Sequence, residues 1–376
     1  MNLPVAKFTC LACGRSEYRM SSLGFGELLE GNCRCGGDVV VSSGEVPEAL
    51  REMLESISKR FEVFDFVGTD KELEAEVETR DPKTSFLSLS EELDSKGYIV
   101  AMRKAGGGIR LLAAKLPPIP GEKLWVNLLL LLATACSTML AGLYLFGNLT
   151  EALVFSSTLL AILGAHEAGH RLAAKRNNVE ISNPYFLPSP FFLGTFGALI
   201  KIKKPIRTKE ALIEMGFLGP LLGFLLALSA TILGMIQLRF SVGGFPFPLV
   251  PAFLLPLKDL SFRLNPLLLS GWSMMIVTAL NLLPAGQLDG GHILRGLMSA
   301  NQHYRLTRLL GFSLLFLGFF LPEYPLWLWG LIILLAFSSK HPGALDDVSE
   351  VSRKYRIMAA VALTILILCV PIPTKL

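Results

Sequence analysis

The chain changes character near residue 117: before it apolar residues recur at the spacing of short amphipathic elements, and after it they gather into runs of bilayer length. In the first part, VPEALREMLESISKR (Val46 to Arg60) sets Leu50, Met53, Leu54 and Ile57 on one helical face. FEVFDFV, SFLSLSEELDSKG, YIVAMRK and IRLLAAK then read as strand, helix, strand and strand, with Gly106 to Gly108 as a hairpin turn. This predicts a small α+β domain over 46–116, closed by a stiff linker over 117–123 that contains Pro117, Pro118 and Pro120. From 124 to 376 the apolar runs are Leu124 to Phe146, Ala152 to Ala174, Ala211 to Ile236, Pro266 to Leu283, Leu306 to Leu321, Pro325 to Ser338 and Ile357 to Val370. They predict a polytopic α-helical membrane domain of about seven transmembrane helices, the later ones short.

Composition agrees with a membrane protein. Of 376 residues, 52% are hydrophobic and 18% charged, too apolar for an ordinary soluble chain. The net charge of +4 is modest and supports no nucleic-acid partner. The distribution of basic residues says more. Arg171, Lys175, Arg176, Lys201, Lys203, Lys204, Arg207 and Lys209 crowd the connection after the second run, whereas the connection before it has neither Lys nor Arg. Arg295, Arg305 and Arg308 follow the fourth run, and Lys340, Arg353, Lys354 and Arg356 follow the sixth. Alternate connections are therefore basic, which places them and the N-terminal domain on the cytosolic side; Arg239, Lys258 and Arg263, in the connection from Gln237 to Asn265, blur the pattern. The start, MNLPVAKFTC, has neither the layout of a secretory signal nor the character of a transit peptide, which also points to a cytosolic N-terminal domain.

Cysteine spacing adds a candidate site within 1–45. Cys10 and Cys13 form a CxxC, and Cys33 and Cys35 follow with Gly36 and Gly37 behind them. Two close thiolate pairs suit one tetrahedral zinc, and the glycines permit the tight turn; two disulfides are the alternative use of the same four residues. A cytosolic setting favours a structural zinc knuckle. Cys136 and Cys369 lie in apolar runs and read as small core residues.

The second apolar run carries His166, Glu167 and His170, costly groups to place in such a segment. On a helix the two histidines lie one turn apart on the same face and can meet one metal, while Glu167 beside them can take a proton from a water that the metal activates. Gly164, Ala165, Ala168 and Gly169 leave the backbone there uncrowded. A third protein ligand is still needed. Asp289, in NLLPAGQLDGGHIL, is the best candidate, because it ends a span with no other carboxylate and the topology brings it to a depth similar to that of the histidines. His292 is a rival ligand, and helix capping is the alternative use of Asp289.

Two further stretches frame the site. NPYFLPSPFFLGTFGALIKIK is too apolar for a free loop and too broken by Pro184, Pro188 and Pro190 for a helix; Thr195 to Lys203 alternates as a strand or hairpin does. Such backbone at membrane depth must be covered by protein or line a wet cavity, so it is expected beside the metal site as an edge for an extended substrate, or else as an interfacial segment. In the third run Gly216, Gly219, Pro220 and Gly223 predict a close helix approach and a kink.

HEAGH in a membrane helix, the later Asn281, Pro284, Asp289 and Gly290, and a glycine-proline pair between them resemble the site-2 protease family of intramembrane zinc metalloproteases. The PYFLPSPFFLGTFGALIKIK stretch is further similar to the subgroup of archaea, cyanobacteria and plastids. The resemblance runs from about Leu124 to the C-terminus. It implies zinc held by His166, His170 and Asp289, Glu167 as the base, a transmembrane helix as substrate, and Asn281 as a polariser of the scissile carbonyl. The family's regulatory PDZ-like or nucleotide-sensing domains find no counterpart here, where the cysteine pairs and the α+β segment stand instead. A metal transporter would also place histidines and carboxylates in helices, but the chain shows no internal repeat. An inert scaffold gripping membrane helices would have no use for Glu167.

Overall fold

The computed structural model describes residues 5–21, 27–30, 32–42, 45–106, 108–118, 121–190, 193–242, 265–321, 326–336 and 339–370. Gly107 of the expected hairpin turn, Pro120 of the linker, Phe191 and Phe192, the ends of the run from Pro325 to Ser338, and the connection with Lys258 and Arg263 lie outside them. The chain divides into two compact units, Met1–Pro118 with Leu345–Glu350, and Ile119–Ala344 with Val351–Leu376.

In the first unit, β1 (Val5–Cys10), β2 (Ser16–Met20), β3 (Leu28–Leu29), β4 (Val39–Ser42), β5 (Glu62–Gly68), β6 (Glu72–Glu78), β7 (Tyr98–Ala105) and β8 (Gly108–Lys115) form one sheet in the order β3-β4-β1-β2-β5-β6-β8-β7. The segments expected as a knuckle over 1–45 and an α+β domain over 46–116 thus share a sheet, through the antiparallel pairing of Tyr18 with Gly68 and Arg19 with Val67. Sequence reading missed β6. Its residues Leu73, Ala75 and Val77 alternate inward between glutamates. Helices α1 (Glu48–Ser58) and α2 (Pro82–Ser95) cover the sheet with fully buried Leu50, Met53, Ile57, Phe86, Leu89 and Leu93, each worth about 1.5–3 kcal/mol of burial. Helix α2 starts where it does because Pro82 fits the first turn and Asp81 accepts from the Thr84 N–H at 3.3 Å. Leu345–Asp347 pair with β7, Met102 N–H donating to Leu345 O at 2.8 Å and Asp347 N–H to Met102 O at 3.1 Å.

In the second unit helices occupy every expected apolar run: α3 (Leu124–Phe146), α4 (Leu149–Arg176), α5 (Lys209–Val242), α6 (Pro266–Asn281), α8 (Ala300–Phe320), α9 (Leu326–Ala336) and α10 (Arg353–Cys369), with the short α7 (Asp289–Leu297) between α6 and α8. Among the described residues three, α3, α4 and α5, are long and apolar enough to cross a bilayer, whereas α6 and α9 are shorter apolar helices. Asn148 caps α4 by accepting from the Thr150 N–H at 2.8 Å, and Gly147 ends α3 in the left-handed region. The broken stretch is a hairpin of β9 (Tyr185–Pro188) and β10 (Thr195–Leu199), continued by an Ile181–Ile202 bridge. Helix α3 holds it at both ends: Asn127 donates to Asn183 O and Pro184 O, and Ser137 donates to Gly194 O at 2.6 Å.

Candidate metal centre

Three helices supply the centre. His166 and His170, one turn apart on α4, place their Nε2 atoms 3.0 Å from each other, and Asp289, the first residue of α7, brings Oδ2 to 3.3 Å from His166 Nε2 and Oδ1 to 3.5 Å from His170 Nε2. The expected ligands therefore converge. Asp289 does not cap α7 with its side chain. It is turned back over the end of α6 by a tight connection, in which a Cβ on Gly291 would lie 2.6 Å from Ala285 O and one on Gly290 would fall inside the Leu282 carbonyl. Only glycine allows that fold-back.

Helix α5 forms the floor. Its Gly216, Gly219 and Gly223 lie against Asp289, His170 and His166 in turn: a Cβ on Gly219 would sit 2.5 Å from Cε1 of His170 and closer still to Nε2, and one on Gly223 would sit 3.1 Å from the His166 Cβ. In the sequence this stripe predicts a close helix approach; its spacing of three and four residues is also the sign of a face built to admit larger groups. Met215, also on α5, accepts from His170 Nδ1 at 2.8 Å. Since a carbonyl can only accept, the proton is on Nδ1 and the Nε2 lone pair points into the centre.

The donor set fits zinc. Ligand atoms about 2.0–2.1 Å from a tetrahedral ion lie about 3.3–3.4 Å apart, and the three separations here bracket that edge. The carbonyl bond that fixes His170 is the usual support for a ligating imidazole. Glu167 is buried, its carboxylate lies within 4.8 Å of both imidazole nitrogens, and its Oε2 has no hydrogen-bond partner among the described residues. A buried oxygen left so is costly unless a proton or a polar ligand meets it.

Other expected residues fall differently. His292, the rival ligand, points its Nδ1 at His341 Nε2, 2.9 Å away. Arg295, counted with the basic connections, is fully buried in α7 and donates to Met298 O at 2.9 Å, because the polar residues after α6 fold into a helix and not a loop. Asn281 is the half-buried last residue of α6.

In the first unit Cys10, Cys13, Cys33 and Cys35 also converge, with Cys10–Cys35 and Cys13–Cys33 sulfur separations of 3.6 and 3.7 Å. Sulfurs about 2.3 Å from a tetrahedral zinc lie about 3.8 Å apart, whereas a disulfide measures about 2.05 Å. The Cys13 N–H holds the Cys10 thiol down to about 6; at Cys35 the Gly37 N–H pulls down too, but the thiols of Cys33, Cys10 and Cys13 push it up to about 12. Thiolates crowded in this way repel until a cation joins them.

The family model described as peptidase family M50 matches residues 154–319. The chain is 34% identical over 238 residues to a probable zinc metalloprotease, EGY1, chloroplastic, of Oryza sativa subsp. japonica, covering 58% of this chain and 40% of that protein. It is 29% identical over 245 residues to its namesake in Arabidopsis thaliana, covering 60% and 43%. It is 29% identical over 190 residues to zinc metalloprotease MJ0392 of Methanocaldococcus jannaschii, covering 50% and 46%. The chain thus spans less than half the length of each of these relatives. No solved structure matches it. His166, Glu167, His170 and Asp289 all lie inside residues 154–319, the segment that matches peptidase family M50, the site-2 protease family.

Proposed function

We propose that this protein is an intramembrane zinc metalloendopeptidase that hydrolyses peptide bonds within or near the transmembrane helices of other membrane proteins, as in regulated intramembrane proteolysis. The observation that carries the reading is the triangle of His166, His170 and Asp289 with an unpartnered Glu167 oxygen beside it. His166, His170 and Asp289 would hold a zinc ion, which would supply Lewis acidity for the scissile carbonyl and lower the pKa of water to about neutral. Glu167 then accepts a proton from the attacking water and returns it to the leaving amine. Asn281 is proposed to polarise the carbonyl by donating to it. A helical substrate must unwind first, and the β10 edge, with Phe196 and Leu199 exposed, suits an added extended segment.

The same reading extends to the whole chain. About seven spans, counting the shorter helices with α3, α4 and α5, would put the basic connections, the metal centre and the N-terminal unit on the cytosolic side. The sulfur geometry supports a second, structural zinc at Cys10, Cys13, Cys33 and Cys35. The test is reconstitution in lipid with a panel of single-span substrates. Wild type should release fragments, chelator should stop it, and His166→Ala should lose both zinc and cleavage. Transport of metal across the bilayer with no peptide product would overturn the proposal.

A further inference from the structure

Helix α7 has nine residues and no side-chain cap at its start, so it depends on tertiary contacts for its placement. It meets α5, where a Cβ on Gly216 would lie 2.9 Å from Ile293 and 3.1 Å from the His292 Cβ. It also meets the segment after α9. There the Gly343 N–H donates to His341 Nδ1 at 2.9 Å, and His341 Nε2 lies 2.9 Å from His292 Nδ1. A backbone N–H can only donate, so His341 carries its proton on Nε2 and passes a hydrogen bond to His292, which is thereby fixed as the Nε2–H tautomer. His303 packs its ring edgewise on His341 at 5.6 Å, and Gly343, at φ +74°, lets the backbone close on the Arg295 guanidinium. Asp289, His292 and Arg295 recur every three residues along one side of α7.

We propose that His341, acting through His292, is a positioning residue that sets the rotation of α7 and so aims the Asp289 carboxylate at His166 and His170. The inference rests on the reading of those three residues as a zinc centre. Without the His341 donor, the half-buried His292 keeps an acceptor unsatisfied, and the short helix turns to find a partner. All five histidines of the chain then serve one centre, two as ligands and three as the support of the third ligand.

The test uses the full chain in detergent, stripped of metal, then titrated with Co2+ and with Zn2+ against a competing chelator. The difference between wild type and His170→Ala isolates the ion at this centre from any at the cysteines. His341→Leu should weaken zinc about ten- to a hundredfold and shift the visible Co2+ bands of that difference spectrum. His341→Gln, which returns an N–H near the position of Nε2, should restore most of both. His292→Leu cuts the same bond from the other side and should match His341→Leu, with the double variant no worse than either; it decides the matter if His341→Leu does not fold. Wild-type affinity and bands in both Leu variants, even with lowered thermal stability, would make the pair purely structural and overturn the proposal alone. Equal metal binding by wild type and His170→Ala would remove the zinc centre, and this inference with it.

Discussion

Gly219→Ala should empty the metal centre while leaving the fold in place. The new Cβ would stand 2.5 Å from Cε1 and 2.8 Å from Cδ2 of His170, where ordinary contact begins near 3.4 Å, so the ring must retreat by about 1 Å. It has no room to do so. Its Nδ1 is tied to Met215 O at 2.8 Å on the same helix, and α4 cannot back away as a unit without opening the Gly169–Gly219 approach, where a Cβ on Gly169 would lie 2.8 Å from the Gly219 Cα. Overpacking costs about 1–3 kcal/mol, offset by about 0.5–1 kcal/mol of helix preference for alanine, so the net loss of stability is about 0–2.5 kcal/mol. A ligand displaced by about 1 Å falls far outside the ~0.2 Å tolerance of a zinc–nitrogen bond, so bound zinc and cleavage should be lost together. The assay is bound zinc, cleavage of a single-span substrate and thermal unfolding of the same preparations. Gly164→Ala is the control, since its Cβ would meet nothing within 4 Å, and it should keep zinc and cleavage. Wild-type zinc and rate in Gly219→Ala would refute the assigned geometry.

Three other outcomes are expected. Cys10→Ser with Cys33→Ser should lower bound zinc from about two ions per chain to about one, and an unchanged count would mean that the thiols hold none. The Ser56 hydroxyl, then Arg60 and Lys96, hold Glu92 down to about 2 in the folded N-terminal unit, against about 4.3 unfolded; the stabilisation is present above pH ~4.3 and is lost as pH falls toward 2. Glu92→Gln should therefore cost about 1–2 kcal/mol at pH 7, screened by solvent, and flatten that acid dependence in hydrogen exchange of α1 and α2; an unaltered acid profile would show that Glu92 is not the group. With impermeant thiol reagent outside intact cells, Glu151→Cys should label and Lys201→Cys and Lys354→Cys should not; the reverse pattern would invert the topology.

Much of this was legible in the sequence because it is local. The i, i+4 spacing of His166 and His170 needs only a helix, and the apolar runs predict their helices to within a few residues at most ends. The HEAGH turn and Asp289 could be paired by depth and motif without any fold. What stayed hidden is what tertiary approach decides. The alternation of Leu73, Ala75 and Val77 was masked by the glutamates between them, which are poor strand formers, and β6 became visible only between its partners β5 and β8. Gly216, Gly219 and Gly223 announce a close neighbour but not that the neighbours are Asp289, His170 and His166. His341 is 49 residues from His292 with no pattern linking them, and Arg295 looked like a loop charge because nothing local requires α7.

The central claim is that Glu167 is the base of a hydrolytic zinc centre. Glu167→Gln keeps the size and shape of the side chain, leaves His166, His170 and Asp289 untouched, and removes the ability to take a proton. Wild type and variant are reconstituted alike, and bound zinc and cleaved fragments are measured in the same samples. The account predicts equal zinc and a fall in cleavage of about 100-fold or more, the scale of a lost general base. Equal zinc with equal cleavage would contradict it.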